Sequence, residues 1–236
     1  MKFQKLKMKI SINQPAFLPW ANYFKRISEV DMFVLLDDVQ YEKNSNINRN
    51  KIQNIITKKD LYLTIPVKKK SLKSSENLIM NSLIDYRSNW KKKHLNSLNQ
   101  ILGKQNNYHI IENLIYNIYS YKSENLFDFL SNQLSILLNF LEIKTKIVKS
   151  SELQTKLNKE LKIIEICKKI GADEYVSGPH GINYLNKSMF DKNNIKLQYY
   201  DNKNINNFFD ERIINYSIIY SLSIYGKELK YFFYEK

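Results

Sequence analysis

Two short apolar runs near the start of the chain most constrain its fold. The first run leads into Asn13-Gln14-Pro15, and the second, residues 32–36, leads into Asp37-Asp38. The segment between them, residues 20–30, has the pattern of one short helix. Strand, helix and strand in this order form a βαβ unit with parallel strands. Because ligands bind outside the carboxyl ends of parallel strands, the polar residues after each run are predicted to lie at a binding site.

The adjacent carboxylates Asp37 and Asp38 are predicted to have different roles. Neighbouring residues of a strand point to opposite faces, so at most one of the two faces a given pocket. A carboxylate there can act as a general base, accept a hydrogen bond from a sugar hydroxyl or bind a hard cation. The alternative is a turn or a helix cap without catalytic function.

The rest of the chain alternates between strand and helix patterns. Strands are predicted at 61–67, 147–150 and 174–177, helices at 89–102, 124–143 and 159–170, and 212–225 is either helical or a pair of strands. This alternation predicts an α/β fold, a single domain over 8–236 with a mostly parallel, Rossmann-like sheet. Residues 89–143 are expected to form a helical insertion, and residues 1–7 a disordered extension.

The formal net charge of +14 has two interpretations. One is an anionic partner such as a nucleic acid. The other is a lysine-rich surface that reflects coding bias. The scarcity of arginine favours the second, because nucleic-acid contacts use arginine for bidentate hydrogen bonds. The arginines are Arg26, Arg49, Arg87 and Arg212.

Composition also bears on the compartment of the protein. No apolar run reaches the roughly 18 residues that a membrane-spanning helix needs, and the first residues lack the apolar core of a secretory signal. The single cysteine, Cys167, lies on the apolar face of a predicted helix and is expected to be a small core residue. We therefore expect a cytoplasmic protein without a membrane span.

The segment Ser177-Gly178-Pro179-His180-Gly181 contains two of the five glycines of the chain and follows a predicted strand. Glycine permits close approach of the backbone to a ligand, so the segment is predicted to be a binding loop. His180 is a candidate acid–base group in it. A plain turn with an exposed histidine is the alternative.

Two further clusters carry candidate site residues. Asn48-Arg49-Asn50 contains one of the few arginines, whose guanidinium can bind a carboxylate or a phosphate bidentately. His94 lies one helical turn from Trp90, beside a run of three lysines, and is a candidate to face the cleft. The spacing of the histidines matches no zinc motif, and the common motifs of nucleotide binding and serine chemistry are absent.

These segments together resemble the WbqC-like protein family. The resemblance is carried by residues 12–24, 31–43, 48–50 and 63–67, by Trp90 with His94, and by Tyr175-Val176-Ser177-Gly178 with Tyr184-Leu185. One departure is Asn13, because the family usually has histidine before the Gln-Pro pair. An asparagine keeps a hydrogen bond but does not shuttle a proton near neutral pH.

The resemblance implies a role in the biosynthesis of O-antigen, capsule or flagellar glycans, with transfer of glycine or a similar acyl group to the amino group of a nucleotide-linked amino sugar. The resemblance supplies no catalytic residues, and those predicted from the sequence pattern itself are Asp37, Asp38, His94 and His180. The predicted substrate-binding residues are Asn13, Gln14, Trp20, Asn48, Arg49, Asn50, Ser177 and Gly178. No metal site is predicted.

Two questions stay open at this level. The activator of the donor is either ATP or an aminoacyl-tRNA, and the cofactor is therefore unknown. The competing function is a non-catalytic, basic protein that binds nucleic acid or acts as a scaffold, for which clustered lysine and aromatic residues on one face are the expected feature.

Overall fold

The protein is described by a computed structural model over residues 7–69, 77–200 and 209–234. The described residues form two compact units that alternate along the chain. The first unit contains residues 7–14, 26–37 and 145–200, and the second contains residues 15–25, 38–69, 77–144 and 209–234. Except for Lys7, the predicted extension at 1–7 lies outside the described residues, and the limits of the predicted domain stay a prediction.

The first unit is built on a five-stranded parallel sheet. Its strands are β1 (Lys9–Asn13), β2 (Met32–Leu35), β5 (Lys146–Lys149), β6 (Glu174–Ser177) and β7 (Lys196–Tyr199). Their order in the sheet is β5-β2-β1-β6-β7, and every neighbouring pair is parallel. The chain starts in the middle, builds one side of the sheet, and returns to build the other. This order is that of a Rossmann-like sheet, with its topological switch point between β1 and β6.

One face of this sheet forms an apolar core with two helices, α5 (Lys159–Ile170) and α6 (Lys187–Lys192). The face is apolar because alternate strand residues, such as Ile10, Met32 and Tyr175, point to it. The Tyr175 ring stacks on Phe190 of α6 at a centroid distance of 5.6 Å. Cys167 lies fully buried in this core, and burial raises the pKa of its thiol to about 12, which confirms the core interpretation.

The second unit combines an antiparallel hairpin with helices. The hairpin consists of β3 (Arg49–Gln53) and β4 (Asp60–Thr64). The helices are α2 (Trp90–Leu102), α3 (Tyr108–Ser120), α4 (Leu126–Phe140), α7 (Glu211–Ile214), α8 (Ile218–Tyr225) and α9 (Leu229–Tyr234). Helix α3 packs against α4 and α8 through an apolar stripe that includes Ile111, Leu114 and Ile118. One further helix, α1 (Ala21–Ser28), has its first residues in this unit and its last three in the first unit.

The predicted α/β class with a mostly parallel sheet is confirmed, and helices α2, α3 and α4 form the helical insertion. The segment 212–225, whose sequence is compatible with a helix or a pair of strands, lies in helices α7 and α8 and the turn between them. Five of the described helices and strands were not predicted, namely α3, α6, α9, β3 and β7. Among the residues that the structure describes, no helix is long and apolar enough to cross a bilayer. Within the same residues, no three His, Cys, Asp or Glu side chains form a cluster that could hold a metal ion.

Candidate functional site

The carboxyl ends of β1, β2 and β6 bring three of the predicted segments to one edge of the parallel sheet. Strand β1 ends at Asn13, β2 leads into Asp37, and β6 ends at Ser177. Because all three strands are parallel, these ends share the same edge. The switch point between β1 and β6 lies at this edge, between Asn13 and Ser177, and ligands of such sheets bind at the switch point.

Asn13 is the central residue of this edge. Its backbone carbonyl accepts a hydrogen bond from the Leu36 amide at 2.8 Å, so its main chain is fixed. Its side chain is half-buried and makes no hydrogen bond to any residue that the structure describes. The amide can therefore donate to and accept from a ligand. The neighbouring Gln14 is also half-buried, and it has interactions within the protein.

Asp37 is used inside the protein. It is 2% exposed, and its carboxylate accepts hydrogen bonds from the Ser150 hydroxyl at 3.0 Å, the Ser151 hydroxyl at 2.6 Å and the Ser151 amide at 2.9 Å. The two serines begin the 3₁₀ turn that follows β5. Asp37 thus joins the ends of β2 and β5. Both oxygens of this buried carboxylate already accept hydrogen bonds. Asp37 is therefore better suited to fix the two strand ends than to accept a proton from a substrate.

Asp38 differs from Asp37 in its burial and in the compact unit to which it belongs. It belongs to the second unit and lies half-buried at a bend. It has interactions within the protein. The two carboxylates thus have different surroundings, and a catalytic role of either one stays a prediction.

The loop after β6 is shaped by its two glycines. Residues Pro179–Asn183 form a 3₁₀ turn, in which the Gly181 amide donates to the Gly178 carbonyl at 3.0 Å. A Cβ on Gly181 would lie 1.9 Å from the hydroxyl oxygen of the buried Ser177, so a larger residue there would have to displace the Ser177 side chain. His180 is exposed in the turn and makes no hydrogen bond to any residue within the described ranges. Its imidazole is therefore open to a ligand.

A buried arginine that sequence reasoning missed lies at the same edge. Arg26 of α1 is 6% exposed. A Cβ on Gly178 would lie 2.3 Å from its Nη1, so the guanidinium packs directly on the glycine backbone. Its Cζ is 5.9 Å from the centroid of the Phe33 ring on β2. The available signal was an arginine in a short helix of a chain that otherwise uses lysine.

His94 lies in the second unit, enclosed by aromatic rings. The rings of Phe17, Trp90 and Tyr119 are 5.9, 5.2 and 5.8 Å from it, centroid to centroid. The Thr64 amide donates to His94 Nε2 at 3.0 Å, so Nε2 carries no proton, and Nδ1 donates to the Tyr119 hydroxyl at 3.1 Å. Burial lowers the pKa of His94 to about 4. His94 is therefore neutral near pH 7, and its lone pair is already used, which argues against a role as general base.

Asn50 and a glutamine that the sequence did not single out hold the loop that follows β1. The loop residue Leu18 has a φ of 42°, a left-handed conformation that is uncommon for leucine. Its amide donates to Gln133 Oε1 at 3.0 Å, and its carbonyl accepts from Asn50 Nδ2 at 2.6 Å. Gln133 also donates to the Ala16 carbonyl at 3.1 Å. Its signal in the sequence was a polar residue on the apolar stripe of α4.

Trp20 ends this loop and is half-buried. Its backbone forms an isolated bridge with Ser217, and its ring meets that of Tyr23 edge to face at 5.6 Å. Residues 15–24, the part of the first resemblance segment that lies in the second unit, are thus mostly buried in its core. Its predicted substrate contacts at Trp20 and Asn50 stay a prediction.

Arg49 lies on the outer face of the hairpin. Its Cζ is 3.6 Å above the centroid of the Tyr62 ring, which is 49% exposed. The guanidinium makes no hydrogen bond or ion pair with any residue in the described part of the chain. Stacking fixes the plane of the guanidinium, which favours bidentate binding of an oxyanion. The adjacent Asn48 is buried and donates to the Ile65 carbonyl at 2.8 Å, so it supports the end of β4.

Comparison with known proteins agrees with the resemblance in the sequence. The model of the WbqC-like protein family matches residues 14–229. A protein of Mycobacterium tuberculosis (strain ATCC 25618 / H37Rv), named as uncharacterized protein Rv1507c, is 29% identical over 195 residues, which cover 82% of each chain. No solved structure matches the chain. Since the family model covers most of its length, the chain belongs to the WbqC-like protein family.

Proposed function

We propose that the protein is a cytoplasmic transferase of bacterial surface-polysaccharide biosynthesis. It transfers glycine or a similar acyl group to the amino group of a nucleotide-linked amino sugar. The family, which is associated with polysaccharide and O-antigen biosynthesis, supports the general role. The observation that carries the proposal is the open edge at the switch point of the parallel sheet, where Asn13 and His180 have side chains without hydrogen-bond partners in the described residues.

The proposed reaction needs a base and a stabiliser of negative charge. The sugar amine attacks the carbonyl carbon of the activated acyl group, a C–N bond forms, and the bond from that carbon to the activating group breaks. The attacking nitrogen loses a proton, which His180 takes up. Because Asn13 stands where the family usually has histidine, it does not serve as the base, and its amide N–H groups can donate to the developing oxyanion.

The neighbouring groups limit the choice of residues. The Gly181 amide already donates to the Gly178 carbonyl, so it does not contribute to an oxyanion hole. Asp37 holds the ends of β2 and β5 together through Ser150 and Ser151, which keeps the edge rigid without direct participation. A rigid edge matters because a misplacement of about 1 Å between reacting groups can lower the rate about 10²-fold.

Ligand binding gives the first test. A thermal-shift screen compares UDP-linked and dTDP-linked amino sugars, their neutral-sugar counterparts and ATP, because a ligand that binds the folded state raises the melting temperature. We expect nucleotide-linked amino sugars to stabilise the protein. The shift should be reduced in Asn13→Ala and unchanged in Asn117→Ala, whose asparagine is exposed on α3. The absence of any shift with all nucleotide-linked sugars would contradict the proposal.

Product analysis gives the second test. The stabilising sugar is incubated with glycine and ATP, or with glycyl-tRNA, and the product is analysed by mass spectrometry. A mass increase equal to one glycyl residue with only one of the two donors identifies the activator. Binding without a mass increase under either condition would reduce the assignment to a binding protein.

A further inference from the structure

We propose that Arg26 binds the phosphate groups of the substrate at the switch point of the parallel sheet. The inference rests on the proposed function for the identity of the ligand, a sugar linked to a diphosphate. It adds a specific residue that recognises this diphosphate. The position, the packing and the donor capacity of the guanidinium each support it.

The position follows from alternation along the strands. Ser11 of β1 is in register with Phe33 of β2 and with Val176 of β6, so these residues share one face of the sheet. Two residues further along, at the carboxyl edge, this face continues with Asn13 and Gly178. The Arg26 guanidinium contacts the Phe33 ring and the Gly178 backbone, so it lies on the same face as the open amide of Asn13.

Small residues make room for the guanidinium. Ser11, whose hydroxyl donates to the Val176 carbonyl at 2.7 Å, is a small residue in the middle of this face. A Cβ at position 178 would come within 2.3 Å of Nη1 and 3.5 Å of Cζ of Arg26. Helical side chains point back towards the start of their helix, which directs Arg26 from the last turns of α1 towards the carboxyl edge. A side chain at 178 would therefore displace the guanidinium, so the glycine and the arginine form one built feature.

The chemistry of a buried guanidinium favours an anion. Burial of a cation is costly unless charged or polar groups compensate it, and Arg26 has interactions within the protein. Arginine has five N–H donors in a planar fork, so it can bind protein groups and still present two parallel donors to a phosphate. Nucleoside diphosphates and prenyl diphosphates share this ligand chemistry, and the experiment has to separate them.

Direct binding of defined probes tests the inference. Calorimetry measures the affinities of inorganic pyrophosphate, UDP, farnesyl diphosphate and uridine for the wild type, Arg26→Lys and Gly178→Ala. Arg26→Lys keeps the charge but loses the fork, and Gly178→Ala keeps the arginine but displaces it. We expect both variants to lose pyrophosphate and UDP affinity at least tenfold. Arg87→Lys is the matched control, because Arg87 is exposed and paired with Asp85.

A measurement on the wild type covers the case in which the variants fold poorly. Hydrogen exchange is followed with and without pyrophosphate, and we expect protection of the amides of residues 174–181. Protection confined to other residues, or unchanged affinity in both folded variants, would overturn the inference.

The probes also separate this inference from the proposed function. If pyrophosphate binding depends on Arg26 but no nucleotide-linked sugar binds, Arg26 is an anion site and the proposed function fails. Tighter binding of farnesyl diphosphate than of UDP supports Arg26 with a lipid-linked substrate. If nucleotide-linked sugars bind equally well to the wild type and Arg26→Lys, the function stands and the role of Arg26 is wrong.

Discussion

Each unit contains one histidine that the sequence marks as a candidate catalyst, and their surroundings are opposite. His94 is buried among aromatic rings, and both of its ring nitrogens have hydrogen-bond partners within the second unit. His180 is exposed in the turn that follows β6 of the parallel sheet, and no described residue hydrogen-bonds to it. The two candidates therefore differ in whether a nitrogen lone pair is still available to a ligand, which the residue type alone does not determine.

The same contrast applies to the polar groups at the sheet edge. Asp37 resembles His94, since both are buried with their acceptor atoms occupied. Asn13 resembles His180, since its side chain has no hydrogen bond to the described residues. We therefore expect substitutions of Asp37 and His94 to change stability. Substitutions of Asn13 and His180 should change ligand binding and turnover.

The largest expected effect is on turnover. His180→Ala should lower the rate of acyl transfer about 10²–10⁴-fold, the usual contribution of a general base. The melting temperature should change little, because the side chain is exposed. His109→Ala is the matched control, since His109 is exposed on α3 and should leave the rate unchanged. Equal rates for the two variants would remove His180 from the mechanism.

The buried histidine should appear in the pH dependence of stability. The folded-state pKa of His94 is about 4 and its ordinary value is 6.5, so between these values the unfolded chain binds a proton that the folded protein does not. Stability is therefore fully present above pH 6.5 and decreases towards pH 4, by about 3 kcal/mol for this group.

Urea denaturation across this pH range measures the effect. In His94→Gln, which keeps an acceptor for the Thr64 amide, the free energy of unfolding should fall less steeply between pH 6.5 and 4. A slope identical to that of the wild type would show that His94 takes up its proton without strain, and would weaken the contrast between the two histidines.

The carboxylate pair gives the next effect. Asp37→Asn should lower the free energy of unfolding by about 1–3 kcal/mol, because an amide cannot accept all the hydrogen bonds that Ser150 and Ser151 donate. Below its melting temperature the variant should keep most of its activity. Asp38→Asn is the paired substitution, and we expect its main effect on activity. A fully stable, inactive Asp37→Asn protein would reverse this assignment.

Much of the fold could be predicted because its signals are local. The apolar runs that form β1, β2 and β6 end within one residue of the positions expected from the sequence. Helix α3 has apolar residues at 111, 114, 115 and 118, a helical spacing that was available to prediction. Strand β7 and helix α6 are harder to predict, because lysine and asparagine surround their few buried residues, Phe190 and Leu197.

The site could be predicted only in part because its decisive contacts are not local. The serines that occupy the Asp37 carboxylate lie 113 and 114 residues further along the chain. The residues that use both nitrogens of His94 are 30 and 25 positions away. The packing of Arg26 on Gly178 likewise joins distant segments. Sequence patterns identify polar residues at strand ends, whereas their partners follow only from the folded chain.

The hairpin of the second unit also carries a polar group without a hydrogen-bond partner in the described residues, the guanidinium of Arg49. It therefore tests whether such groups bind ligands. Arg49→Lys keeps a positive charge but loses the planar fork and its stacking on Tyr62. If the guanidinium binds an oxyanion of a substrate, the catalytic efficiency kcat/KM should fall about tenfold, which corresponds to about 1.4 kcal/mol. Arg212→Lys is the control, since Arg212 is exposed and paired with Asp210. Full activity of Arg49→Lys would identify Arg49 as a surface cation.

The smallest expected effect concerns nucleic acid, the competing function. Of the lysine run at 91–93, Lys91 is turned inward, because its ammonium donates to the carbonyls of Tyr119 and Tyr121 at the end of α3, and burial lowers its pKa. Lys162 is also buried. The net charge of +14 therefore overstates the cations available to a phosphate backbone.

We expect duplex DNA and tRNA to bind weakly, with dissociation constants of roughly 10⁻⁴–10⁻⁶ M at physiological salt. Fluorescence anisotropy at several salt concentrations measures this, and the affinity should fall steeply as salt rises. A nanomolar affinity for tRNA at physiological salt would contradict the expectation. Together with glycyl transfer it would favour an aminoacyl-tRNA over ATP as the source of the activated donor, since only a tRNA donor needs such a surface. Without transfer, it would favour the nucleic-acid-binding protein over the enzyme.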